Sequence, residues 1–284
     1  METVKPRRVI INADDFGWSE GVTEGILRAA REGILTSTTV AANMPAAERA
    51  VRRLGEAPHL GVGVHLNVSQ GSPLSEAGRA LAGPDGRMNR TAGAVLAASL
   101  RPCLLAAMEA EFDAQIRWAL DHGLAVTHLD SHRHAHGFPP IFARVVRLAR
   151  RYNIPFVRWY GERLGRGWPA GPAKQRRVRR VLNGFSRVNA LLGGGLRGTV
   201  GTWGVEHTGR IDTAWLIRAA EAAPPGAIEI MTHPGLGDDL DAAATRLRES
   251  RREELAALCD PAVRDAFDKQ RIERIHYGRL HHAE

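Results

Sequence analysis

Two adjacent acidic side chains, Asp14 and Asp15, follow an apolar run near the start of the chain, in the stretch VIINADDFGWSEG over residues 9–21. Like charges side by side repel each other, and removal from water penalises both. A divalent cation would offset the repulsion if it bound one carboxylate and left the other free as a base. The alternative is that the pair caps the following helix, which explains one acid better than two. The pair therefore indicates metal-assisted chemistry.

A cluster of imidazoles lies in the stretch HLDSHRHAH, where His128, Asp130, His132, His134 and His136 occupy every even position. An extended backbone would aim all five side chains to one side. Packing does not account for so many polar groups, because each buried one needs a partner. Metal ligation is the simplest explanation, and an exposed His-rich loop is the alternative. Nitrogen and oxygen ligands together suit zinc, manganese, cobalt or iron, whereas magnesium prefers oxygen alone.

One further imidazole, His65, lies in the alternating stretch GVGVHLNV. Strand alternation places Val62 and Val64 on one face and His65 on the other. A lone buried histidine is often only a hydrogen-bonded core residue. The acids and imidazoles described above favour ligation by His65 instead.

The elements that must position these residues alternate between short β-branched runs and amphipathic helical stretches. This alternation predicts an α/β fold with a mostly parallel sheet and crossover helices. In such folds the loops after the carboxyl ends of the strands build the active site. The candidate residues all lie at or near a predicted strand end: Asp14, Asp15, His65, the 128–136 stretch, Arg158 and His233.

The chain has 284 residues, of which 44% are hydrophobic, and this is enough for one sizeable core. We predict a single catalytic domain over residues 1–284, with a basic helical insertion at about 161–200. Two cysteines are too few for a disulfide framework or a Cys-based zinc site. The charged start does not resemble a signal peptide, and no apolar run is long enough to span a membrane. A cytoplasmic location is therefore expected.

The net charge of +8 comes mostly from arginine, and the densest run, KQRRVRRVLNGFSR, covers residues 174–187. Apolar residues recur at helical spacing here, which predicts a basic amphipathic helix over about 174–192. Three interpretations are open: a solvated face docked on its own domain, a helix on a membrane surface, and a nucleic-acid contact. No nucleic-acid motif accompanies the run, so we expect no nucleic-acid partner.

Four ordered stretches, NADDFG, GVHLN, HLDSHRHAH and MTHPG, make the chain resemble the YdjC-type carbohydrate deacetylases, which include chitooligosaccharide deacetylases. The arginine-rich character and the segment NMPAAERAV are most similar to the hopanoid biosynthesis-associated branch. The resemblance implies a deformed (β/α) barrel of the polysaccharide-deacetylase-like type that holds one divalent metal. Zinc is expected first, with magnesium, manganese or cobalt as alternatives.

The resemblance also implies roles for residues of this chain. The metal ligands of the family fall on Asp15, His65 and His132. The catalytic base falls on Asp14. The histidine of the HPG motif falls on His233, as a general acid or a stabiliser of the leaving group.

Three further residues are expected near the reaction. Arg158 occupies a place where related deacetylases hold their base with an arginine. Asp130 and His134 are expected to orient His132 or to touch the substrate.

The implied function is removal of the N-acetyl group from a substrate that contains N-acetylglucosamine, with release of acetate. The hopanoid branch implies an N-acetylglucosaminyl hopanoid, a glycolipid, and with it peripheral contact at the inner membrane face. Soluble chitooligosaccharides are the alternative substrate. A metal-dependent phosphoesterase is the alternative function for the same side chains, and the sequence leaves a homo-oligomer open.

Overall fold

Strands and helices alternate along the chain in this computed structural model, which describes residues 5–165, 167–241 and 245–280. The strands are β1 (Arg7–Phe16), β2 (Ser37–Val40), β3 (Gly61–Leu66), β4 (Gln70–Gly71), β5 (Met88–Asn89), β6 (Val126–Ser131), β7 (Phe156–Val157), β8 (Thr202–Trp203), β9 (Gly226–Thr232) and β10 (Glu273–Arg274). The helices are α1 (Glu20–Glu32), α2 (Ala47–Arg52), α3 (Ala92–Ser99), α4 (Pro102–Asp121), α5 (Pro139–Arg151), α6 (Ala173–Gly193), α7 (Thr213–Ala222), α8 (Glu249–Cys259) and α9 (Pro261–Lys269). The predicted α/β fold is confirmed.

The main sheet has eight strands in the order β7-β6-β3-β2-β1-β9-β8, with β10 paired to β1. Every pairing in this sheet is parallel. A bridge between Tyr160, just after β7, and Thr202 of β8 links the two edges. The sheet therefore curls into a deformed (β/α) barrel, and the short antiparallel pair of β4 and β5 lies outside it.

The hydrophobic core lies between this sheet and the surrounding helices, and α1 illustrates how a helix joins it. Val22, Ile26 and Leu27 are buried along one side of α1. Ser19 caps the first turn, because its side chain accepts a hydrogen bond from the Val22 N–H. Burial of each such aliphatic side chain stabilises the fold by about 1.5–3 kcal/mol, and this helps to keep β1 and its acidic pair in place.

The first strand does not end at the acidic pair, as the sequence pattern suggested, but continues through Phe16. Between Ala13 and Phe16, β1 carries one residue more than the facing part of β2. Such a β-bulge breaks the strict alternation of side chains between the two faces of a sheet. Asp14 and Asp15 can therefore both serve one site although they are neighbours in sequence.

The basic segment forms α6, which lies within the insertion predicted at about 161–200. Its inward side packs against α5, and Leu182 and Asn189 are buried there. The strand β8 that follows was not predicted, because two residues are too few to produce an alternating pattern.

No single helix in the described ranges has both the length and the hydropathy needed to cross a membrane. The pair of α3 and α4 passes that test only when the two are taken together across a bend of 114°. Within α4, Glu111 is buried and accepts hydrogen bonds from the backbone N–H groups of Leu74 and Ser75.

Candidate active site

Three side chains that could bind a metal converge at the carboxyl end of the parallel sheet. Asp15 Oδ1 lies 3.3 Å from His65 Nε2 and 3.3 Å from His132 Nδ1. All three atoms lie within 4.8 Å of one another. Asp15 comes from β1, His65 from β3 and His132 from the turn after β6. One carboxylate oxygen and two imidazole nitrogens form a donor set typical of zinc and related divalent metals.

The backbone at Asp15 is left-handed, with φ of +73°. This conformation is costly for a residue with a side chain and persists only where the surrounding structure holds it. Gly17 follows with φ of +83°, and a Cβ at this position would lie 2.6 Å from the Cα of Ala47. The Trp18 N–H closes the turn by donating to the Asp15 carbonyl oxygen at 3.0 Å. The bulge and this turn together aim the Asp15 carboxylate at the two imidazoles.

The second nitrogen of each candidate ligand imidazole is already engaged. Asp130 Oδ1 lies 2.7 Å from His65 Nδ1. Gln70 Oε1 lies 3.0 Å from His132 Nε2. Metal-ligating histidines commonly donate their other N–H to a carboxylate or a carbonyl group, which fixes the ring orientation. The remaining nitrogens, His65 Nε2 and His132 Nδ1, are the ones that face Asp15.

The charges in this group of side chains fit a bound cation. Burial disfavours a charged imidazole at His65, but Asp130 and Asp15 outweigh this effect and raise the pKa of His65 to about 10. Burial also disfavours the charged form of Asp15, yet Arg251 and the two histidines hold the pKa of this carboxyl well below its usual range. Asp15 Oδ1 is buried and accepts no hydrogen bond of good geometry from the described residues. A divalent metal in place of the His65 proton would satisfy this oxygen.

Arg158 is fully buried and binds the carboxylate next to the candidate ligands. Its Nη1 donates to Asp14 Oδ2 at 2.8 Å and its Nη2 to Asp14 Oδ1 at 2.6 Å. The same guanidinium donates to Glu229 Oε1 at 2.9 Å and lies 2.9 Å from Asp130 Oδ2. Although burial opposes the charge on Asp14, Arg158 lowers the pKa of this carboxyl well below its usual range. Asp14 is therefore ionised at neutral pH.

His233 follows β9, and its Nε2 lies 3.9 Å from Asp14 Oδ2. Its backbone N–H donates to Glu254 Oε2 at 2.6 Å, which fixes the chain at this point. Burial lowers the pKa of the His233 imidazole to about 4. The imidazole is therefore neutral at neutral pH.

Asp130 and His134 contact residues other than His132. Asp130 contacts His65, and His134 Nδ1 lies 3.2 Å from the Tyr160 hydroxyl oxygen. Neither forms a hydrogen bond with His132 in the described part of the chain. Burial lowers the pKa of His134 to about 3, which keeps this imidazole neutral. Contact of either residue with a substrate stays a prediction.

The extended arrangement expected for residues 128–136 is wrong beyond Ser131. The strand ends there, and a short 3-10 turn follows. Arg133 and His134 have left-handed φ angles of +53° and +60°, which extended backbone does not allow. The alternation of side chains along a strand therefore does not predict where the histidine side chains beyond Ser131 lie.

The two outer histidines of this stretch have partners away from the candidate ligands. The His128 ring stacks on the Tyr277 ring, with centroids 3.9 Å apart. His136 Nδ1 lies 2.6 Å from the Ser131 hydroxyl oxygen. Among the imidazoles of this stretch, His132 is the one grouped with Asp15 as a candidate ligand.

Glu229 belongs to this site although the sequence analysis missed it. It lies in β9, binds Arg158, and accepts hydrogen bonds from the hydroxyl groups of Thr202 at 2.7 Å and Tyr277 at 2.8 Å. The available signal was a single acid within the otherwise apolar run AIEIM, because an ionised side chain is seldom buried without a partner.

Arg251 and Glu254, both on α8, were also missed. The Arg251 side chain is buried, and its Nη2 donates to Asp15 Oδ2. Burial raises the pKa of Glu254 to about 7. Helix α8 thus holds both a candidate metal ligand and the backbone of His233. Nothing in the sequence RESRREE distinguishes these two residues from their exposed neighbours.

Comparison with known proteins gives consistent findings. The chain matches the YdjC-like protein family over residues 8–269. A carbohydrate deacetylase of Geobacillus stearothermophilus is 34% identical over 272 residues, which cover 96% of this chain and 97% of that protein. A carbohydrate deacetylase of Brevibacillus brevis is 33% identical over 275 residues, which cover 96% of this chain and 99% of that protein. The solved structure of a candidate cellobiose-phosphate cleavage protein from Enterococcus faecalis V583 has the same fold, with a TM-score of 0.79, 23% identity, and coverage of 97% of this chain and 99% of that one.

Proposed function

This chain belongs to the YdjC-like protein family, and we propose that it is a carbohydrate deacetylase that hydrolyses the N-acetyl group of an amino sugar and releases acetate. The observation that carries the proposal is the position of Asp14. Both of its oxygens are held by Arg158, and it lies within 4.8 Å of a His65 ring nitrogen. An ionised carboxylate beside a candidate metal site suits hydrolysis of an amide, because it can take a proton from the attacking water. We further propose that residues 1–284 form one catalytic domain.

The proposed metal ligands are Asp15, His65 and His132. A divalent metal held by them would supply a Lewis acid and lower the pKa of a water molecule. The mixed nitrogen and oxygen donors favour zinc, and manganese, cobalt and magnesium are the alternatives to be compared.

Asp14 and His233 carry the proton transfers in this proposal. Asp14 removes a proton from the attacking water, whose oxygen bonds to the carbonyl carbon of the acetamide. Arg158 keeps Asp14 ionised and weakens its hold on the proton, so the proton can move on. His233, at 3.9 Å from Asp14, then donates a proton to the departing nitrogen as the carbon–nitrogen bond breaks. The products are acetate and a free amino sugar.

Acetate release by purified protein tests this function. Protein stripped of metal and then reconstituted with zinc, manganese, cobalt or magnesium is offered an N-acetylglucosaminyl hopanoid and diacetylchitobiose in parallel. We expect acetate only from reconstituted protein. Metal-loaded protein that releases no acetate from either substrate, but releases phosphate from a phosphomonoester, would replace this proposal with a phosphoesterase.

For the substrate itself we propose a lipid-linked amino sugar, with peripheral association of the enzyme at the inner membrane face. The support for this choice is the resemblance to the hopanoid-associated branch and the basic helix α6 that packs near the candidate site. If acetate is released from diacetylchitobiose alone, the proposed mechanism stands and the proposed lipid-linked substrate is wrong.

Replacement of His65 by alanine is expected to weaken metal binding by more than about 100-fold, because loss of a ligand exceeds the 10–100-fold effect of losing a residue that only orients one. Metal per chain, measured by inductively coupled plasma mass spectrometry after gel filtration, checks this. His122→Ala is the matched control, because His122 is exposed and outside the site. Wild-type metal content in the His65→Ala protein would show that the ligand set is wrong.

Arg251→Lys is expected to weaken metal binding by about 10–100-fold. The arginine holds Asp15 Oδ2 with Nη2 and so leaves Oδ1 to face the imidazoles. Lysine lacks the Nε and Nη1 donors that bind the Leu247 and His233 carbonyl oxygens and fix the guanidinium in place. Chelator competition on metal-free protein measures the affinity, and circular dichroism checks the fold. Arg252→Lys, on the exposed side of α8, should bind metal like the wild type. Equal binding by the Arg251→Lys protein would mean that Arg251 does not position Asp15 for the metal, and tighter binding would mean that Arg251 competes with the metal for Asp15.

A further inference from the structure

Helix α6 exposes an apolar stripe on the side that faces away from the protein. Val181 is 42% exposed, Val188 is 46% exposed and Leu191 is 87% exposed. Leu192 extends the same side. In a helix with 3.6 residues per turn, residues spaced by seven and then by three or four lie on one face. We call this set, Val181, Val188, Leu191 and Leu192, the outer stripe.

The side chains beside the outer stripe are strongly basic. Arg177, Arg180 and Arg187 are exposed, and none forms an ion pair with any residue that the structure describes. The sequence contains no acidic residue between Glu162 and Glu206. Positive charge without a counter-charge therefore flanks the apolar surface. This combination is typical of helices that lie in the plane of a membrane surface.

The inward side of α6 already holds the helix to the protein. Leu182 is buried, and the Phe185 ring packs edge-on to the Phe138 ring, with centroids 6.1 Å apart. Asn189 Nδ2 donates to the Gly137 carbonyl oxygen at 3.1 Å. None of these contacts involves the outer stripe, in which Leu191 has the most exposed side chain.

We propose that the outer stripe and its arginines dock onto an anionic membrane surface. The aliphatic side chains would enter the boundary between headgroups and acyl chains, and the guanidinium groups would bind lipid phosphates. A second copy of the chain fits less well, because a two-fold contact would bring the arginines of both copies together. Nucleic acid fits less well, because phosphate contacts leave Val188 and Leu191 without an apolar partner.

The inward side of the same helix adjoins the candidate active site. Gly137, which Asn189 contacts, ends the short turn that begins with His132. Docking of α6 would therefore hold the metal-ligand turn close to the lipid. The link to a lipid-linked sugar rests on the proposed function, whereas the docking of α6 rests on its own apolar and basic side chains.

Flotation of the full chain with lipid vesicles tests the proposal. The wild type is expected to float with vesicles of phosphatidylcholine mixed with phosphatidylglycerol, and not with phosphatidylcholine alone. The R177E/R180E/R187E variant should bind on the order of 100-fold more weakly, since each basic residue near the surface contributes about 5-fold. The V188S/L191S variant should also bind more weakly, while its remaining binding keeps the salt dependence of the wild type.

The R87E/R101E/R279E variant is the matched control, because it reverses three exposed arginines that lie outside α6 and form no ion pair among the residues that the structure describes. It should float like the wild type. Equal flotation of both triple variants, or no flotation of the wild type, would overturn the proposal. A dimer that V188S/L191S abolishes, or binding to a DNA duplex without binding to vesicles, would equally overturn it.

Acetate release from a soluble amino sugar separates this inference from the proposed function. Both triple variants should retain it, because none of the altered residues contacts the candidate site. Flotation of a wild type that releases no acetate would leave the docking surface standing and remove the deacetylase. If the wild type releases acetate but does not float, the deacetylase stands and the docking surface is wrong.

Discussion

The Asp14→Asn enzyme is expected to release acetate on the order of 10²–10⁴-fold more slowly than the wild type, while it keeps its fold and its metal. Asparagine has nearly the same size as aspartate but cannot take a proton from the attacking water. Asp14 is outside the proposed ligand set, so metal content should not change. Turnover is measured at saturating metal, and metal per chain is measured on the same samples.

The native fold should survive this substitution, because Arg158 keeps two other buried carboxylates, Asp130 and Glu229, as partners. Asp121→Asn, at the exposed end of α4, is the matched control and should have wild-type turnover. Near-wild-type turnover in the Asp14→Asn enzyme, with metal bound, would remove Asp14 from the role of base.

The Arg158→Met protein is expected to be less stable than the wild type by about 3–5 kcal/mol, because breaking a buried ion pair leaves uncompensated charge in the interior. Asp14, Asp130 and Glu229 all lie within ion-pair distance of this guanidinium. Methionine fills much of the volume but provides no charge. The free energy of unfolding from urea denaturation at neutral pH measures the loss.

This loss of stability should shrink as the pH falls. Without the arginine, the buried carboxyl groups of Asp14 and Glu229 would have pKa values above those of the unfolded chain, so the native state gains protons and stability on acidification. In the wild type, the contribution of Asp14 to stability changes with pH in the opposite direction. There Arg158 overcomes the effect of burial and lowers the pKa, so the stabilisation is present at neutral pH and is lost progressively once the pH falls below the ordinary pKa of an aspartate. Denaturation series at several pH values distinguish these two slopes.

Arg144→Met is the matched control for the Arg158 variant, because Arg144 forms a partly exposed ion pair with Glu109. Exposed pairs contribute about 0–1 kcal/mol, so little change is expected. A similar loss of stability in both variants would mean that the buried charges around Arg158 contribute no more to stability than the partly exposed ion pair.

The sequence pattern was sufficient to select several residues that the fold brings together, because an acid or a histidine beside an apolar run can be recognised without knowledge of the fold. Asp14, Asp15, His65 and His233 each lie at or just beyond an apolar run that forms a strand, and parallel strands bring their carboxyl ends to one edge. Spacing alone did not separate His132 from the other imidazoles around it. That distinction depends on the turn after β6, whose left-handed residues break the alternation.

The contacts that complete the site depend on packing between distant segments. Arg251 reaches Asp15 across 236 residues of sequence, and it is one of several arginines in its stretch. The bulge at the acidic pair arises from the register between β1 and β2, which neither strand reveals alone. The role of Glu229 follows from its partners. An acid within a strand does not reveal its role until the arginine that it contacts is known.

The bridge between Tyr160 and Thr202 has a mechanical consequence. It joins the edges of the barrel where β7 and β8 are each two residues long, so few backbone hydrogen bonds close the wall. The Thr202 hydroxyl oxygen lies 3.0 Å from the Trp159 carbonyl oxygen and 2.7 Å from Glu229 Oε2, which ties this seam to the buried charges around Arg158. Breathing of the barrel should therefore begin at the seam, and water admitted there would meet the buried Glu229 carboxylate and the Arg158 guanidinium that binds it.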